Sequence, residues 1–315
     1  MAKVSKVRPS SATSSPRKGN DDTLYLPTEL NTPPTSLDDV FIMIYGRKNI
    51  GKSSLAAQFE NNLTMMFEAT RRNLAIFQVP KAGEPDLTWS RALKYQDMIC
   101  NSDDFQRISI DTVDEAYQQC FIYVCKQAGV RHPDSASKPY ELWMEIKAQF
   151  KEFVLTFREA GKGVTFVSHE KVKPLITKAK GLKRDDSPEN TVKCDRIEPS
   201  CSGQVLDVIT QICDYVFYYH FKDARRAIMV RSPSEIAWTA CGMGETFCDP
   251  DGGLIESFEA GNDAPSSYQA IIKAFNNELY DMDYIPPPSS KIASLGKSKA
   301  STPVKKKAVK KAVRR

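Results

Sequence analysis

The sequence predicts an α/β domain with a mostly parallel sheet flanked by helices, and three observations carry this prediction. An apolar run, VFIMIYG at 40–46, ends in glycine, which is typical of a strand buried on both faces. A second apolar run, VTFVS at 164–168, follows two glycines. Between residues 140 and 160, apolar side chains recur three and four positions apart, which puts them on one face of a helix. Alternating strands and helices indicate the α/β class.

The rest of the chain continues this alternation. Between the two apolar runs we expect a helix, a second strand, another helix and a third strand, over 53–63, 74–79, 89–99 and 107–110. After the fourth strand the sequence is polar from 170 to 203, and an apolar helix or strand follows around 205–221. We expect residues 223–260 to add strands or hairpins.

Both ends of the chain have a different composition from the middle. Residues 1–34 are predicted to be a disordered basic segment, because Ser, Pro and Lys dominate and large apolar residues are few. Residues 286–315 are predicted to be a disordered tail rich in Lys and Arg, which begins at a run of prolines. One folded domain, 35–285, is therefore expected between them.

The formal charge of +5 is distributed unevenly. Residues 291–315 hold ten Lys and Arg and no acid, and residues 1–20 hold five and no acid. Residues 21–290 hold 29 Lys and Arg against 39 Asp and Glu, so the body of the protein is acidic. The basic character lies in the ends, where it favours an electrostatic contact with nucleic acid.

Cysteine usage and hydropathy indicate the compartment. The eight cysteines are scattered, and no apolar N-terminal stretch precedes a small-residue cleavage site. The longest apolar runs are far shorter than the roughly 18 residues of a membrane span. We expect a cytoplasmic protein without a transmembrane segment.

The segment GRKNIGKS, residues 46–53, is a complete phosphate-binding loop between a predicted strand and a predicted helix. Glycines let backbone N–H groups wrap closely around phosphate oxygens. Lys52 is expected to reach the β- and γ-phosphates of ATP, and the Ser53 hydroxyl is expected to bind Mg²⁺. The residues predicted to contact the nucleotide are Gly46, Arg47, Lys48, Asn49, Ile50, Gly51, Lys52, Ser53 and Ser54.

Two further strands end in residues suited to this chemistry. Asp111 follows the apolar strand RISI and is expected to serve the Mg²⁺ ion, although Asp also ends many strands as a turn former. His169 ends the strand VTFVS, at the edge where an open α/β sheet binds its ligand. His169 is a candidate sensor of the γ-phosphate, and a local hydrogen bond is the alternative explanation.

Three segments, GRKNIGKSSLA, RISIDTVDEAY and GVTFVSHEK, together resemble a phage family of RecA-like nucleotide-binding proteins related to single-strand annealing ATPases. The resemblance covers roughly residues 38–235 and includes the segment DVITQICDYVFYYHF. It implies a RecA-like P-loop ATPase that binds single-stranded DNA, assembles into a homo-oligomer and assists phage recombination or repair in the host cytoplasm. It also implies nucleotide binding by Gly46, Gly51, Lys52 and Ser53, a Mg²⁺ role for Asp111, and His169 near the γ-phosphate.

One position departs from that family. RecA-like enzymes usually present a Glu just after the second strand to activate the attacking water, but the predicted second strand here runs LAIFQVPKAGEPDL. Glu84 is the nearest carboxylate, displaced by four residues. Either a longer loop carries Glu84 to the site, or hydrolysis is slow and the protein is mainly a nucleotide-gated binder. Glu84 as a simple loop residue is equally compatible with the sequence.

Two segments are candidates for the DNA contact. Residues 171–203 hold eight Lys and Arg against five acids, in the position where RecA-like proteins carry DNA-binding loops. A solvated surface loop explains this stretch as well, because it lacks aromatic residues for base stacking. The basic tail is the stronger electrostatic signal, and a solubilising or targeting tail is the alternative explanation.

Three classes of function remain open. The leading one is an ATPase that binds single-stranded DNA. A P-loop phosphotransferase similar to nucleotide kinases is the second, with Arg225 and Arg226 as phosphoryl clamps. A non-catalytic, nucleotide-gated DNA-binding protein is the third. A GTPase is disfavoured because the sequence contains no Asn-Lys-x-Asp segment.

Overall fold

The computed structural model describes residues 35–68, 74–178, 191–201, 203–232, 237–242 and 246–282. All elements named below belong to the compact unit that begins at Ser36. The two predicted disordered ends lie outside the described residues.

Within those residues, nine strands form one sheet with the order β3-β2-β4-β5-β1-β7-β8-β9, and β6 pairs with β5 alone. Strands β1 to β5 and β7 run parallel, whereas β6, β8 and β9 pair antiparallel. The fold is therefore the predicted α/β class with a mostly parallel sheet. The strands are β1 Phe41–Gly46, β2 Asn62–Met66, β3 Phe77–Val79, β4 Arg107–Asp111, β5 Gly163–Lys178, β6 Thr191–Pro199, β7 Tyr215–Lys222, β8 Arg225–Met229 and β9 Ser257–Glu259.

Six described α-helices cover both faces of the sheet. Helices α2 to α5 pack on one face, where Phe150, Phe153 and Phe157 of α4 contribute to the larger apolar core. Helices α1 and α6 pack on the other face, where Leu55 and Phe275 join a second core. The helices are α1 Lys52–Ala56, α2 Trp89–Cys100, α3 Val113–Gln127, α4 Pro139–Glu159, α5 Gly203–Ile212 and α6 Ala264–Phe275.

The helix predicted over 53–63 is wrong beyond its first turn. Helix α1 ends at Ala56, Asn61 adopts a positive φ of 47°, and β2 begins at Asn62. Asn62 is polar but buried, because its side chain donates to the Ala56 carbonyl and accepts from the Ser109 hydroxyl. The polar residues Asn62 and Thr64 fit the solvent-facing side of a helix equally well. The sequence pattern therefore did not indicate that a strand begins at Asn62.

The polar stretch after the fourth predicted strand is a two-stranded hairpin, and not the loop that its composition suggests. β5 continues past His169 to Lys178 and pairs antiparallel with β6, from Glu170 opposite Pro199 to Lys178 opposite Thr191. The predicted apolar segment around 205–221 contains both a helix, α5, and a strand, β7.

Arg107, at the start of β4, is completely buried and organises the beginning of the domain. Its guanidinium donates to the carbonyls of Leu37 and Val40 and to the Thr165 hydroxyl, the last at 2.8 Å. It also lies 4.4 Å from the centre of the Phe59 ring. Burial lowers the pKa of this guanidinium to about 10. Arg107 thus connects the segment that precedes β1 with β4 and β5 in the middle of the sheet.

Arg107→Ala is expected to lower the free energy of unfolding by roughly 3 kcal/mol, because it leaves buried carbonyls without their donor and opens a cavity. Urea unfolding measures the change. Arg131→Ala, at an exposed position, is the control and should change stability by less than about 0.5 kcal/mol. Equal stabilities of the two variants would contradict the role assigned to Arg107.

Candidate nucleotide site

The phosphate loop lies between β1 and α1, and two of its positions require glycine. A Cβ atom on Gly46 would lie 2.0 Å from the Tyr219 carbonyl oxygen of β7, far inside van der Waals contact. Gly51, which precedes α1, has a φ of +113°, a conformation that L side chains rarely adopt. The backbone of β1 and β7 can therefore approach closely where the loop begins.

Lys52 is buried, with 4% of its surface accessible, and its ammonium group lies inside the loop. Nζ donates to the carbonyl oxygens of Gly46, at 2.9 Å, and Arg47, at 2.8 Å. It also lies 3.3 Å from Nδ1 of His169. These contacts hold a positive charge where the loop would surround phosphate oxygens.

His169 connects the phosphate loop with a carboxylate that the sequence analysis overlooked. Gly46 and His169 are register partners in the parallel pairing of β1 with β5. Nε2 of the ring lies 3.0 Å from Oε1 of Glu68, and Nδ1 faces Lys52. Because Lys52 is a donor only, the tautomer that satisfies both contacts accepts at Nδ1 and donates from Nε2 to Glu68. Lys52, His169 and Glu68 form one continuous polar chain.

Glu68 follows β2, the true second strand of the sheet. Its backbone is fixed beside β4, because the Asp111 carbonyl accepts from Phe67 N at 2.7 Å and from Glu68 N at 3.3 Å. Glu68 therefore lies directly after the second strand, at the carboxyl edge of the sheet. The signal in the sequence is the apolar run TMMF directly before this Glu, at 64–67.

Glu84 lies elsewhere, and its predicted role is corrected by the strand order. It follows β3, and β2, β4 and β5 separate β3 from β1. At about 4.8 Å per strand, four spacings amount to roughly 19 Å. Its carboxylate accepts from Lys81 N at 3.1 Å, Arg91 at 3.3 Å and the Tyr95 hydroxyl at 3.4 Å. Glu84 is thus a loop-organising residue at the sheet edge.

Ser53 and Asp111, the predicted magnesium ligands, are both buried at the carboxyl edge of the sheet. Ser53 is in the first turn of α1, and Asp111 ends β4, two strands from β1, with 1% of its surface accessible. A hydroxyl and a carboxylate are the hard oxygen donors that Mg²⁺ takes alongside phosphate and water. The donor set therefore fits Mg²⁺. Among the described residues, no group of three or more His, Cys, Asp and Glu is arranged to hold a metal ion.

A second polar network contacts the backbone next to His169. Asp114, in the first turn of α3, accepts from the hydroxyls of Ser168 and Ser200, each at 2.9 Å. Ser200 N also donates to the His169 carbonyl at 2.8 Å. Asp114 therefore ties the residue before His169 to the end of the returning strand β6. The base of the hairpin and the nucleotide site share these bonds.

Lysines of the hairpin base are partly neutralised. Lys171 Nζ lies 3.4 Å and Lys173 Nζ 3.7 Å from the same oxygen of Glu198, on the paired strand. Lys171 also donates to the Cys201 carbonyl at 3.0 Å. These two side chains remain partly exposed and can still contact an anionic ligand. Glu198 cancels part of their positive charge, so the attraction is weaker than that of two unpaired lysines.

The two arginines proposed as phosphoryl clamps have different surroundings. Arg225 is exposed and pairs with Glu259 at 3.1 Å. Arg226 donates from Nε to the Ile50 carbonyl of the phosphate loop at 3.1 Å and from Nη1 to the Asn262 carbonyl at 2.6 Å. The Arg226 side chain therefore stabilises the phosphate loop by a hydrogen bond to a backbone carbonyl of the loop.

A glycine-dependent loop after β1, a buried Lys-Ser pair at the start of α1 and a buried Asp at the end of β4 define the class of P-loop nucleotide-binding domains. The chain belongs to the AAA_24 family, described as an AAA domain, whose model matches residues 38–238.

Two known proteins are similar to the chain. The SPbeta prophage-derived uncharacterized protein YorG of Bacillus subtilis (strain 168) is 25% identical over 138 residues, which are 42% of each chain. The match thus spans less than half the length of this relative. The crystal structure of a KaiC-like protein from Pyrococcus horikoshii OT3 is 12% identical with a TM-score of 0.34, over 66% of this chain and 83% of that chain. None of the described helices is long and apolar enough to cross a membrane.

Lys52→Ala is expected to weaken ATP binding by about 10- to 150-fold, because the variant loses a hydrogen bond from a charged donor to phosphate. Lys48→Ala is the matched control, because Lys48 is an exposed side chain of the same loop and its backbone N–H is retained. Equilibrium binding of ATP with Mg²⁺ measures both variants. Equal affinity of Lys52→Ala and the unmodified chain would refute a phosphate-binding role for this loop.

Proposed function

We propose that the chain is a Mg²⁺-dependent ATPase in which Glu68 orients and activates the attacking water. The observation that carries this proposal is the polar chain from Lys52 through His169 to Glu68. A phosphate-binding cation and a carboxylate suited to act as a base are thereby joined by one ring. Hydrolysis of ATP needs both groups at opposite sides of the γ-phosphate.

Each residue has a separate task in this mechanism. Lys52 neutralises charge on the β- and γ-phosphates, and exchanges its bonds to loop carbonyls for bonds to phosphate. Ser53 and Asp111 would hold Mg²⁺, which would supply neutralisation of the phosphate charge when bound. Glu68 accepts a proton from water, and His169 keeps the carboxylate oriented by donating from Nε2.

His169 is also suited to report whether phosphate is present. Its Nδ1 contacts Lys52, whose partners change when phosphate enters the loop. Its Nε2 contacts Glu68, and its carbonyl accepts from Ser200 at the hairpin base. A change at Lys52 can therefore reach both the base of hydrolysis and the hairpin through contacts of a single residue.

We further propose that the hairpin and the basic tail bind single-stranded DNA, and that the protein works as a homo-oligomer in phage recombination or repair. Support comes from the continuity of β5 with the nucleotide site, from the ten positive charges beyond residue 290, and from the RecA-like resemblance of the three motifs. The prophage origin named for YorG is compatible with this role. The bonds of Arg225 and Arg226 to Glu259 and to loop carbonyls give the phosphotransferase alternative less support.

Glu68→Gln is expected to lower kcat for ATP hydrolysis by about 10²- to 10⁴-fold, because glutamine retains the size of the side chain but cannot accept the proton. Nucleotide affinity should change little. Steady-state hydrolysis and ATP binding are measured on the same preparation.

Glu84→Gln is the matched control, since it removes a carboxylate from the opposite region of the sheet edge. Its kcat should equal that of the unmodified chain. Full activity of Glu68→Gln, or loss of activity in Glu84→Gln alone, would contradict the assignment of Glu68. Phosphate transfer from ATP to a small acceptor, independent of DNA, would support the phosphotransferase instead.

His169→Ala is expected to reduce the ratio between the affinity for single-stranded DNA with an ATP analogue and the affinity with ADP. Coupling of ordinary strength would make this ratio about 5- to 150-fold in the unmodified chain. The reason is that the substitution removes the ring that connects Lys52 with Glu68 and the hairpin base. DNA binding is measured with a non-hydrolysable ATP analogue and with ADP, beside a melting curve.

Deletion of residues 291–315 separates the tail from this coupling. It should reduce the slope of log affinity against log salt concentration while leaving the ratio between nucleotide states intact. A folded His169→Ala variant that keeps the full ratio would show that His169 is no sensor. A chain that binds no DNA in any state would exclude the DNA-dependent function.

A further inference from the structure

The residues assigned to the terminal phosphate all lie on one side of β1. His169 ends the parallel part of β5, Asp111 ends β4 and Glu68 follows β2, and these three strands succeed one another on the same side. A nucleotide whose γ-phosphate faced these residues would extend its ribose and base toward the other side of β1. That direction leads over β7 and β8.

β7 carries an exposed aromatic side chain at this place. Gly46 pairs with Tyr219, so the last three residues of β7 project beyond the end of β1. Phe221 is among them, and 47% of its surface is accessible. It shares a strand face with Phe217 and Tyr219, which pack in the α1 core, and therefore lies on the side of the sheet from which the phosphate loop enters α1.

Arg226 fixes this ring relative to the phosphate loop. Phe221 and Arg226 are register partners on β7 and β8, and the guanidinium carbon lies 5.6 Å from the ring centre. The same guanidinium donates to the Ile50 carbonyl of the loop. One arginine thus contacts both the phosphate loop and the exposed ring.

The hairpin that presents Phe221 has a short turn. Asp223 and Ala224 form its two-residue turn, with φ values of 48° and 63°. Positive φ at both central residues is the turn geometry that matches the twist of the paired strands. A rigid aromatic surface loses little conformational entropy when a ligand stacks on it.

We propose that Phe221, supported by Arg226, is the stacking platform for the base of the bound nucleoside triphosphate, and that it favours purines over pyrimidines. The proposal rests on the proposed nucleotide-binding function. A base stacks on an aromatic ring through its π-face, and the larger purine ring system covers more of the apolar ring than a pyrimidine does. The platform therefore contributes affinity for the base and none for the triphosphate.

The test compares three ligands, ATP, CTP and inorganic tripolyphosphate, each with Mg²⁺, in equilibrium binding. Phe221→Ala is expected to weaken ATP binding by about 5- to 150-fold, to weaken CTP binding less, and to leave tripolyphosphate binding unchanged. Phe221→Tyr should retain ATP affinity because its ring can stack equally well. Phe77→Ala is the matched control, an exposed phenylalanine on β3 that is 69% accessible and lies near the other edge of the sheet.

The ligands distinguish the possible failures. ATP affinity of a folded Phe221→Ala variant equal to that of Phe77→Ala would overturn the platform. Equal losses for ATP and tripolyphosphate would also overturn it, because the residue would then act through the phosphate loop. An unmodified chain that binds none of the three ligands would overturn the proposed function itself, and the platform with it. Arg226 is left unchanged because it contacts both regions.

Discussion

The position of β5 between β1 and β4 constrains every group in the nucleotide site. β1 and β2 are three strand spacings apart, roughly 14 Å, and β4 and β5 lie between them. A residue at the end of β5 lies between them, and the register of β5 on β1 puts His169 at the level of Gly46. The imidazole has two nitrogens at opposite sides of its ring, which lets it contact the cation and the carboxylate together.

This arrangement explains which parts of the site the sequence could predict. The phosphate loop, Asp111 and His169 each follow an apolar strand, so a local pattern is sufficient to find them. The contact between Glu68 and His169 joins residues 101 positions apart and depends on the strand order. Neighbouring residues carry no information on strand order, and a RecA-like expectation points to Glu68 only after β2 has been recognised.

The fold was predictable to a similar extent and for similar reasons. Helices α2 and α4 agree with the predicted 89–99 and 140–160 within about one residue at each end, because a long apolar face is a strong helical signal. The five residues of β2 give no such signal, since Asn62 and Thr64 are polar and buried. The hairpin of β5 and β6 is held by pairing between backbone groups, which composition does not reveal.

The proposed placement of the nucleotide across β1 separates recognition of the base from chemistry at the terminal phosphate. In the proposed arrangement, Glu68, Asp111 and His169 would act on the terminal phosphate from β2, β4 and β5, whereas Phe221 and Arg226 would face the base from β7 and β8. Interactions with the base are equal in the ground state and the transition state, so they lower KM without raising kcat. Under the proposed mechanism, contacts of Glu68 with water would strengthen only as the bond to phosphate forms, and they would therefore govern kcat. Kinetic constants of single variants consequently report on which side of β1 a residue acts.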